Sequence, residues 1–397
     1  MSVFVKEKHL HLAERMVEDS HANNGLAPLD LERFWIDQEK AVEDPFSYQC
    51  PQMPLGVTMS NECAFTELNV PEDWYRLAHE DEYRTGLEQR YNDISEEIVG
   101  RRLLRESTTR LSRKWPGPKK LNEIFDAPEE WHSWSYWIMQ AATNPSELEA
   151  LLDKVEKRLE RLGAFILPDN WEEEKSRLDG QGASLPLYRG QRGPVTFAMS
   201  VYGVENLIYL IMDHPDLAAR FRDLIIRAIL ERARLIDEEA GFDEESAPHG
   251  WSWADDNCAM LNAELYDFFA YPIVKAIFDR YCPDEKDTRG QHSDSDMGHL
   301  LPILGRTNLT WTNFGPNVTV SEIRNHLPAA LIRGQLAPFT LSRNEEVNLV
   351  AETLRDFEMS QEKRGIIFST AGSINNGSRL TGMRLIMATI QKYCSYA

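Results

Sequence analysis

The second half of the chain alternates short strand-like segments with helical segments, and this alternation constrains the fold more than any other feature. Five such pairs follow one another between residues 250 and 393. They predict parallel strands joined by crossover helices, because a strand that returns in the same direction needs a long connection. The pairs, each strand before its helix, are GWSWADD (250–256) with 265–281, DTRGQHSD (287–294) with 297–304, LTWTNFG (309–315) with 320–326, ALIRGQL (330–336) with 345–357, and GIIFSTAG (365–372) with 382–393.

The preceding part of the chain adds at least one more pair. PVTFAMS (194–200) is predicted as a strand, and a helix is predicted from Asp216 to the stop at Gly241. Upstream, apolar residues at helical spacing between Ser146 and Gly163 predict an amphipathic helix, with Ser146 and Glu149 as its capping box. LGVTMS (55–60) is a further strand candidate in the first 130 or so residues, which otherwise resemble a helical N-terminal extension.

These units predict an α/β fold, a closed (β/α)₈ TIM barrel with a helical N-terminal extension, in one domain that spans residues 1–397. An open sheet is less favoured, because no glycine-rich nucleotide-binding signature follows any of the strands. Active sites of such barrels lie at the carboxyl ends of the strands. Polar residues at those ends are therefore the candidates for function.

Charge and cysteine content exclude several classes of protein. The 43 Lys and Arg residues face 64 Asp and Glu residues, so a formal net charge of −21 would repel nucleic acid and an anionic membrane surface. The charged start of the chain lacks the apolar centre of a signal peptide, and no apolar run approaches the roughly 20 residues that cross a bilayer. Five cysteines without a CxxC pair suggest neither a disulfide framework nor a zinc knuckle. We expect a cytoplasmic protein.

Several motifs follow one another from about Gly193 to the C-terminus: RGPVTFAMSVYGVENL, WSWADDNCAMLNAELYDFFAYPIVKAIFDRY, QHSD, LIRGQLAPFTL and FSTAGSINNGSRL. In this order and spacing they resemble the uroporphyrinogen decarboxylase superfamily. Its members include the haem-pathway decarboxylase and zinc-dependent methyltransferases that move a methyl group between a corrinoid and a thiol. The resemblance implies a barrel and leaves the reaction open.

Departures from the superfamily pattern bear on the chemistry. The haem-pathway enzymes carry an N-terminal Phe-Arg-Gln-Ala-Gly-Arg-Tyr motif that is absent here, and their tyrosine and last-strand histidine fall at Ser200 and Ala371. The methyltransferases hold zinc through a His-x-Cys pair and a cysteine on the last strand. This chain has His292-Ser293-Asp294 and Ala371-Gly372-Ser373 at those places. The resemblance thus implies that the histidine is retained and that both thiolates are lost.

His292 and Asp294 are the central candidates for the site. Residues at i and i+2 of a strand point to the same face, with α-carbons about 7 Å apart, so both side chains can converge on one ligand. An imidazole and a carboxylate suit zinc or another divalent ion, and Asp255, Asp256, Cys258 and Asp296 are candidates to complete the set. Alternatively, HSDSD is a polar loop that caps the next helix, or it serves an active site without metal.

Further candidates follow other strands. Asp255 follows the WSW strand, where general acids, bases and ligands are found, although an N-cap for the next helix is the alternative. Asn313 and Gln335 end two strands and would orient a substrate by hydrogen bonds or tie loops together. Glu62 follows the LGVTMS segment and either binds substrate at the barrel mouth or is a solvated loop carboxylate.

Three functions remain open at this point. The leading hypothesis is transfer or removal of a methyl group of a small methylated substrate, with a corrinoid protein as partner and with His292 and Asp294 as metal ligands. The second is a metal-free decarboxylase or lyase, in which Asp255 and His292 stabilise and protonate a carbanion-like intermediate. The third is a non-catalytic barrel that binds a ligand. A homodimer is also expected, because dimers are common among the proteins that the chain resembles.

Overall fold

The computed structural model describes residues 4–106, 117–180, 182 and 184–396. Its helices are α1 (Glu7–Ala22), α2 (Leu31–Glu43), α3 (Cys63–Glu67), α4 (Trp74–His79), α5 (Asp81–Val99), α6 (Leu121–Ile124), α7 (Pro145–Leu159), α8 (Leu162–Ile166), α9 (Trp171–Gly180), α10 (Pro194–Tyr202), α11 (Val204–Asp213), α12 (Pro215–Glu239), α13 (Ala263–Tyr281), α14 (Leu301–Leu304), α15 (Val320–His326), α16 (Pro338–Ser342), α17 (Glu346–Ser360) and α18 (Leu380–Tyr393). Its strands are β1 (Glu129–His132), β2 (Ser135–Ile138), β3 (Gly190–Arg192), β4 (Trp251–Ala254), β5 (Arg289–Ser293), β6 (Trp311–Phe314), β7 (Leu331–Leu336) and β8 (Ile366–Thr370).

The larger sheet has six strands, β3 to β8, whose order in the sheet is their order along the chain. The pairs β3–β4, β4–β5, β6–β7 and β7–β8 are all parallel. Each of the five strand-helix pairs predicted after residue 250 is present, which confirms the α/β class. The strands β1 and β2 form a separate antiparallel hairpin.

Residues 194–200 form part of helix α10, so the prediction of a strand at PVTFAMS is wrong. The local reason is the Gly193-Pro194 step. Proline at the first helical position has a backbone already shaped for a helix and lacks an N–H that would otherwise stay unpaired there. The strand of this unit is β3, which ends just before Gly193.

Two other local expectations need correction. Ser146 lies inside α7, and Asn144 is the N-cap in its place, accepting the N–H of Glu147 at 3.0 Å. The helix ends at Leu159, and Gly163 lies inside α8. The LGVTMS segment contributes an isolated parallel bridge between Leu55 and Phe368 of β8 in place of a full strand. The Gly56 N–H donates to the Phe368 carbonyl at 2.7 Å, so this segment still runs along β8 as a barrel strand would.

The chain divides into two compact units. The first consists of Met1–Thr109, Asp294–Gly298 and Trp311–Ala397. Its core packs α17 against β7 and β8 and α18 against α17, and is filled by wholly buried aliphatic and aromatic side chains such as Leu349, Phe368 and Ile386. Helix α1 covers α17.

The second unit consists of Arg110–Ser293 and His299–Thr310. Helix α12 packs against α7, α11 and α13, and a row of phenylalanine rings lies among these helices. Phe221 is wholly buried there, with its ring centroid 6.1 Å from that of Phe125 and 5.9 Å from that of Phe269. This packing fixes α13 beside β4, which positions the end of that strand.

No single helix among the described residues has the length and apolar composition to cross a membrane. Taken together, α10 and α11 reach that length and composition, but they are bent by 100° relative to each other. The cytoplasmic location stays a prediction.

Candidate functional site at the ends of β4 and β5

His292 lies at the carboxyl end of β5, directly opposite Ala254 of β4 in the parallel register. Trp251 and Trp253 of β4 face α13, since their ring centroids lie 5.3 Å from Tyr281 and 6.3 Å from Phe278. Successive side chains of a strand alternate between its faces. Ala254 and the half-buried His292 therefore lie on the face of these strands that turns away from α13.

Asp255 lies on the opposite face and is wholly buried. One of its carboxylate oxygens, Oδ1, accepts the backbone N–H of Thr196 at 2.8 Å, so this side chain caps the N-terminus of α10. Burial raises the pKa of Asp255 to about 6, against the hydrogen bonds from Thr196, which lower it. Oδ2 has no hydrogen-bond partner among the described residues. Asp255 thus caps α10, which precedes it in the chain, and makes no capping hydrogen bond to the 3₁₀ helix that follows it, where the predicted alternative expected one.

The close fit around Asp255 explains the glycine before α10. A β-carbon at Gly193 would lie 2.0 Å from the β-carbon of Asp255 and 2.7 Å from its α-carbon. Carbon atoms do not approach so closely. Glycine at position 193 is therefore required for the turn after β4 to pack on the start of α10.

Asp256 is the carboxylate that this unit brings to His292. It opens the 3₁₀ helix Asp256–Met260 directly after the strand. One ligand atom of Asp256 and one of His292 lie within 4.8 Å of each other, and both side chains are half-buried. A carboxylate oxygen and an imidazole nitrogen at this separation are suited to a divalent ion or to exchange of a proton.

Asp294 follows His292 by two residues and belongs to the first unit, where it is exposed. The loop after β8 approaches it closely: a β-carbon at Gly372 would lie 2.4 Å from Oδ1 of Asp294. Gly372 also has a φ of +109°, a conformation that favours glycine. The absence of a side chain at Gly372, just after β8, thus leaves the space that the Asp294 carboxylate occupies. The metal-binding role of His292 and Asp294 stays a prediction.

The two amides predicted to bind substrate hold strand ends together. The Nδ2 group of Asn313 donates to the carbonyls of Arg333 and, at 2.9 Å, of Thr370. Gln335 is wholly buried, and its Nε2 group donates to the carbonyls of Gly315 and Val318. These contacts agree with the alternative stated above, in which the two amides tie loops together. Contact with a substrate stays untested for both residues.

Glu62 precedes α3 and is half-buried, and its burial raises the pKa of its carboxyl group, while a hydrogen bond from Ser60 lowers it. The neighbouring Cys63 thiol donates to the carbonyl of Asn375 at 3.6 Å. Glu62 therefore lies near the loop that follows β8, in the same unit as Asp294. Its contact with a substrate stays a prediction.

Of the other candidate ligands, Cys258 is wholly buried and its sulfur lies 3.7 Å from Oγ of Ser293. Burial raises the pKa of this thiol well above its usual value, and the charge of Asp255 raises it further. A thiolate ligand is therefore disfavoured here. Asp296 is exposed and accepts a long hydrogen bond from Asn317 at 3.4 Å.

Sequence reasoning did not identify Tyr266 of α13, whose wholly buried hydroxyl has no hydrogen-bond partner among the described residues. Burial raises its pKa well above the usual value, and the nearby Asp255 charge adds to this. Its helical pattern indicated only a core residue.

A second group of residues that could bind a metal, His249 with Asp284 and Asp287, lies at the opposite ends of β4 and β5. Nδ1 of His249 is 3.0 Å from Oδ2 of Asp287 there.

Comparison with known proteins bears on the family and the fold. The sequence model of the uroporphyrinogen decarboxylase (URO-D) family matches residues 175–393, which is just over half of the chain. A methyltransferase from Methanosarcina mazei has a similar structure, with a TM-score of 0.51 and 12% sequence identity over 92% of this chain and 99% of that one. At this identity the likeness bears on the fold alone. No curated protein matches the sequence.

Both findings agree with the α/β-barrel class predicted from the strand-helix pairs, and the matched range includes every motif from Gly193 onwards on which the resemblance rested. They also place Asp255, Asp256, His292 and Asp294 within the matched range. This chain belongs to the uroporphyrinogen decarboxylase family.

Proposed function

We propose that this protein transfers or removes the methyl group of a small methylated substrate, with a corrinoid protein as methyl acceptor or donor. The observation that carries the proposal is the pairing of Asp256 with His292 at the carboxyl ends of adjacent strands, where barrel enzymes hold their active sites. Asp294, two residues beyond His292, supplies a second carboxylate by its place in the chain.

The donor set fits a divalent metal ion. His292 and Asp256 offer an imidazole and a carboxylate, which suit zinc or a harder divalent ion better than a thiophilic one. Asp294 is proposed as a further ligand from its place two residues after His292 in the sequence. Bound there, the ion would act as a Lewis acid on the heteroatom that carries or receives the methyl group. Glu62, Asn313 and Gln335 are proposed to contact the substrate.

Methyl transfer to cob(I)alamin tests this function. We expect the protein to methylate cob(I)alamin with at least one member of a panel of methylated amines, thiols and phenols, and we expect His292→Gln to abolish the transfer. His326→Gln is the matched control, because His326 is an exposed residue in the last turn of α15. If wild-type protein with added zinc transfers no methyl group from any donor, the proposal fails.

A metal-free decarboxylase or lyase is the second candidate, and one observation favours it. The half-buried pair of Asp256 and His292 would serve equally well as general acid and base in a reaction without a metal. Release of carbon dioxide from a carboxylated substrate by metal-free protein would support this candidate over methyl transfer. A ligand that wild-type protein binds without turnover, and that His292→Ala no longer binds, would instead support the non-catalytic barrel.

A further inference from the structure

The turn that follows β4 is held at three points, and these surround Asp256. The backbone N–H of Asp255 donates to the carbonyl of His292 at 2.9 Å. Its side chain accepts the N–H of Thr196 at 2.8 Å, and the hydroxyl of Thr196 accepts the N–H of Asn257 at 2.9 Å. The residues on both sides of Asp256 are therefore tied to β5 and to the start of α10.

The two neighbouring aspartates have different access to a reaction. Asp255 is wholly buried, with its β-carbon against Gly193, so that no substrate reaches it. Asp256 is half-buried, and one of its oxygens lies within 4.8 Å of a ring nitrogen of His292. Because Asp255 and Asn257 are both held by these hydrogen bonds, the backbone of Asp256 between them is fixed.

We infer that Asp256 is the carboxylate that acts with His292, and that Asp255 is a positioning residue which holds Asp256 in place through Thr196 and β5. This replaces the catalytic role predicted for Asp255 from its position after the strand. The inference rests on the proposed function only for the chemistry that His292 and Asp256 perform together, since the chain itself makes all the contacts that hold the turn.

Binding of cobalt(II) to the purified full-length chain tests the inference, with the affinity measured by calorimetry and the ligand set by the visible absorption spectrum. Loss of residues that orient metal ligands typically weakens affinity ten- to hundredfold. We expect Asp256→Asn and Asp255→Ala each to weaken cobalt binding by at least tenfold and to change the spectrum. Asp255→Asn retains the oxygen that accepts the Thr196 N–H, so we expect its affinity to stay within about threefold of wild type.

Two further variants keep the test decisive. If Asp255→Ala does not fold, Thr196→Val removes the hydroxyl that accepts the Asn257 N–H and also bonds Asp255, but keeps the backbone N–H that Asp255 accepts. We expect this variant to weaken cobalt binding without changing the fold. Asp223→Asn is the control, because Asp223 is an exposed carboxylate on α12 that pairs with Arg222. The inference is overturned if Asp255→Asn loses as much affinity as Asp255→Ala, or if Asp256→Asn binds cobalt as wild type does.

If wild-type protein binds no cobalt, the metal-dependent function is contradicted. The positioning role of Asp255 is then tested by a second measurement. The ring carbon resonances of His292 in metal-free protein, assigned with His292→Gln, report the proximity of Asp256. We expect Asp256→Asn and Asp255→Ala to shift them alike and Asp255→Asn to leave them unchanged. Resonances that respond to Asp256→Asn but not to Asp255→Ala or Thr196→Val contradict the positioning role.

Discussion

Replacement of Gly193 by alanine tests the packing that holds the turn after β4. The backbone of Gly193, with a φ of −60° and a ψ of 162°, is open to any residue, so the effect of an added methyl group is steric. That β-carbon would lie 2.0 Å from the β-carbon of Asp255, where ordinary contact begins at 3.4 Å. The turn must therefore move by more than 1 Å, or α10 must.

The expected cost follows from two effects. Overpacking of a filled site costs about 1–3 kcal/mol, and a shift of this size breaks the bond between Asp255 and the Thr196 N–H, which is worth about 1.5–3 kcal/mol for a charged acceptor. We expect Gly193→Ala to lose about 3–5 kcal/mol of unfolding free energy in urea, and to weaken metal binding as well.

Gly86→Ala is the matched control, because a β-carbon at Gly86 meets nothing within 4 Å and the residue lies inside α5. Alanine there should be neutral or stabilise the protein by up to about 1 kcal/mol, since it favours the helix. A loss of less than about 1 kcal/mol for Gly193→Ala would refute the account of how Asp255 is held.

Three other changes have defined outcomes. Glu358→Gln removes the partner of Lys6, Lys8 and His9, which hold the pKa of Glu358 at about 2. Because the folded-state pKa is depressed, the unfolding free energy of wild type should exceed that of the variant by about 1 kcal/mol above pH 4.5. Urea unfolding should show that this difference is lost as the pH falls towards 2. Phe221→Ala should lose about 3–5 kcal/mol by the same measurement, because its wholly buried ring leaves a cavity among the helices of the second unit, and a loss under 1 kcal/mol would contradict this packing. Gly372→Ala should displace the Asp294 carboxylate and lower metal affinity at least tenfold in calorimetry, whereas unchanged affinity would argue against Asp294 as a ligand.

The strand-helix pairs after residue 250 were predictable because four of the five strand segments hold several apolar residues and the helices have periodic apolar faces. The fifth segment, DTRGQHSD, has no apolar residue, and only its place in the alternation indicated a strand. Helix α15, for example, was predicted with both of its ends correct, since Thr319 and Glu322 form a capping box there. The failure at PVTFAMS has the opposite cause. Eight of the nine residues of α10 are buried, so no polar face revealed a helical period, and only the proline at its start indicated a helix.

The candidate site was predictable in its location and less so in its members. The register of β4 and β5 places the WSWADD and QHSD ends together, as parallel strands require. Which of two adjacent aspartates faces His292 depends on how the turn packs on α10, and nothing in the local pattern specifies that. The role of Gly193 is equally non-local, because its contact, Asp255, lies 62 residues away in the chain.

Elemental analysis of the purified protein beside Asp294→Ala tests the central claim of a metal site most directly. We expect about one divalent ion per chain in wild type and a small fraction of that in Asp294→Ala. Asp279→Ala, which removes an exposed carboxylate that pairs with Lys275 on α13, should keep the wild-type content. Wild-type protein that stays free of metal after growth and purification with zinc, or Asp294→Ala with an unchanged metal content, would contradict the claim.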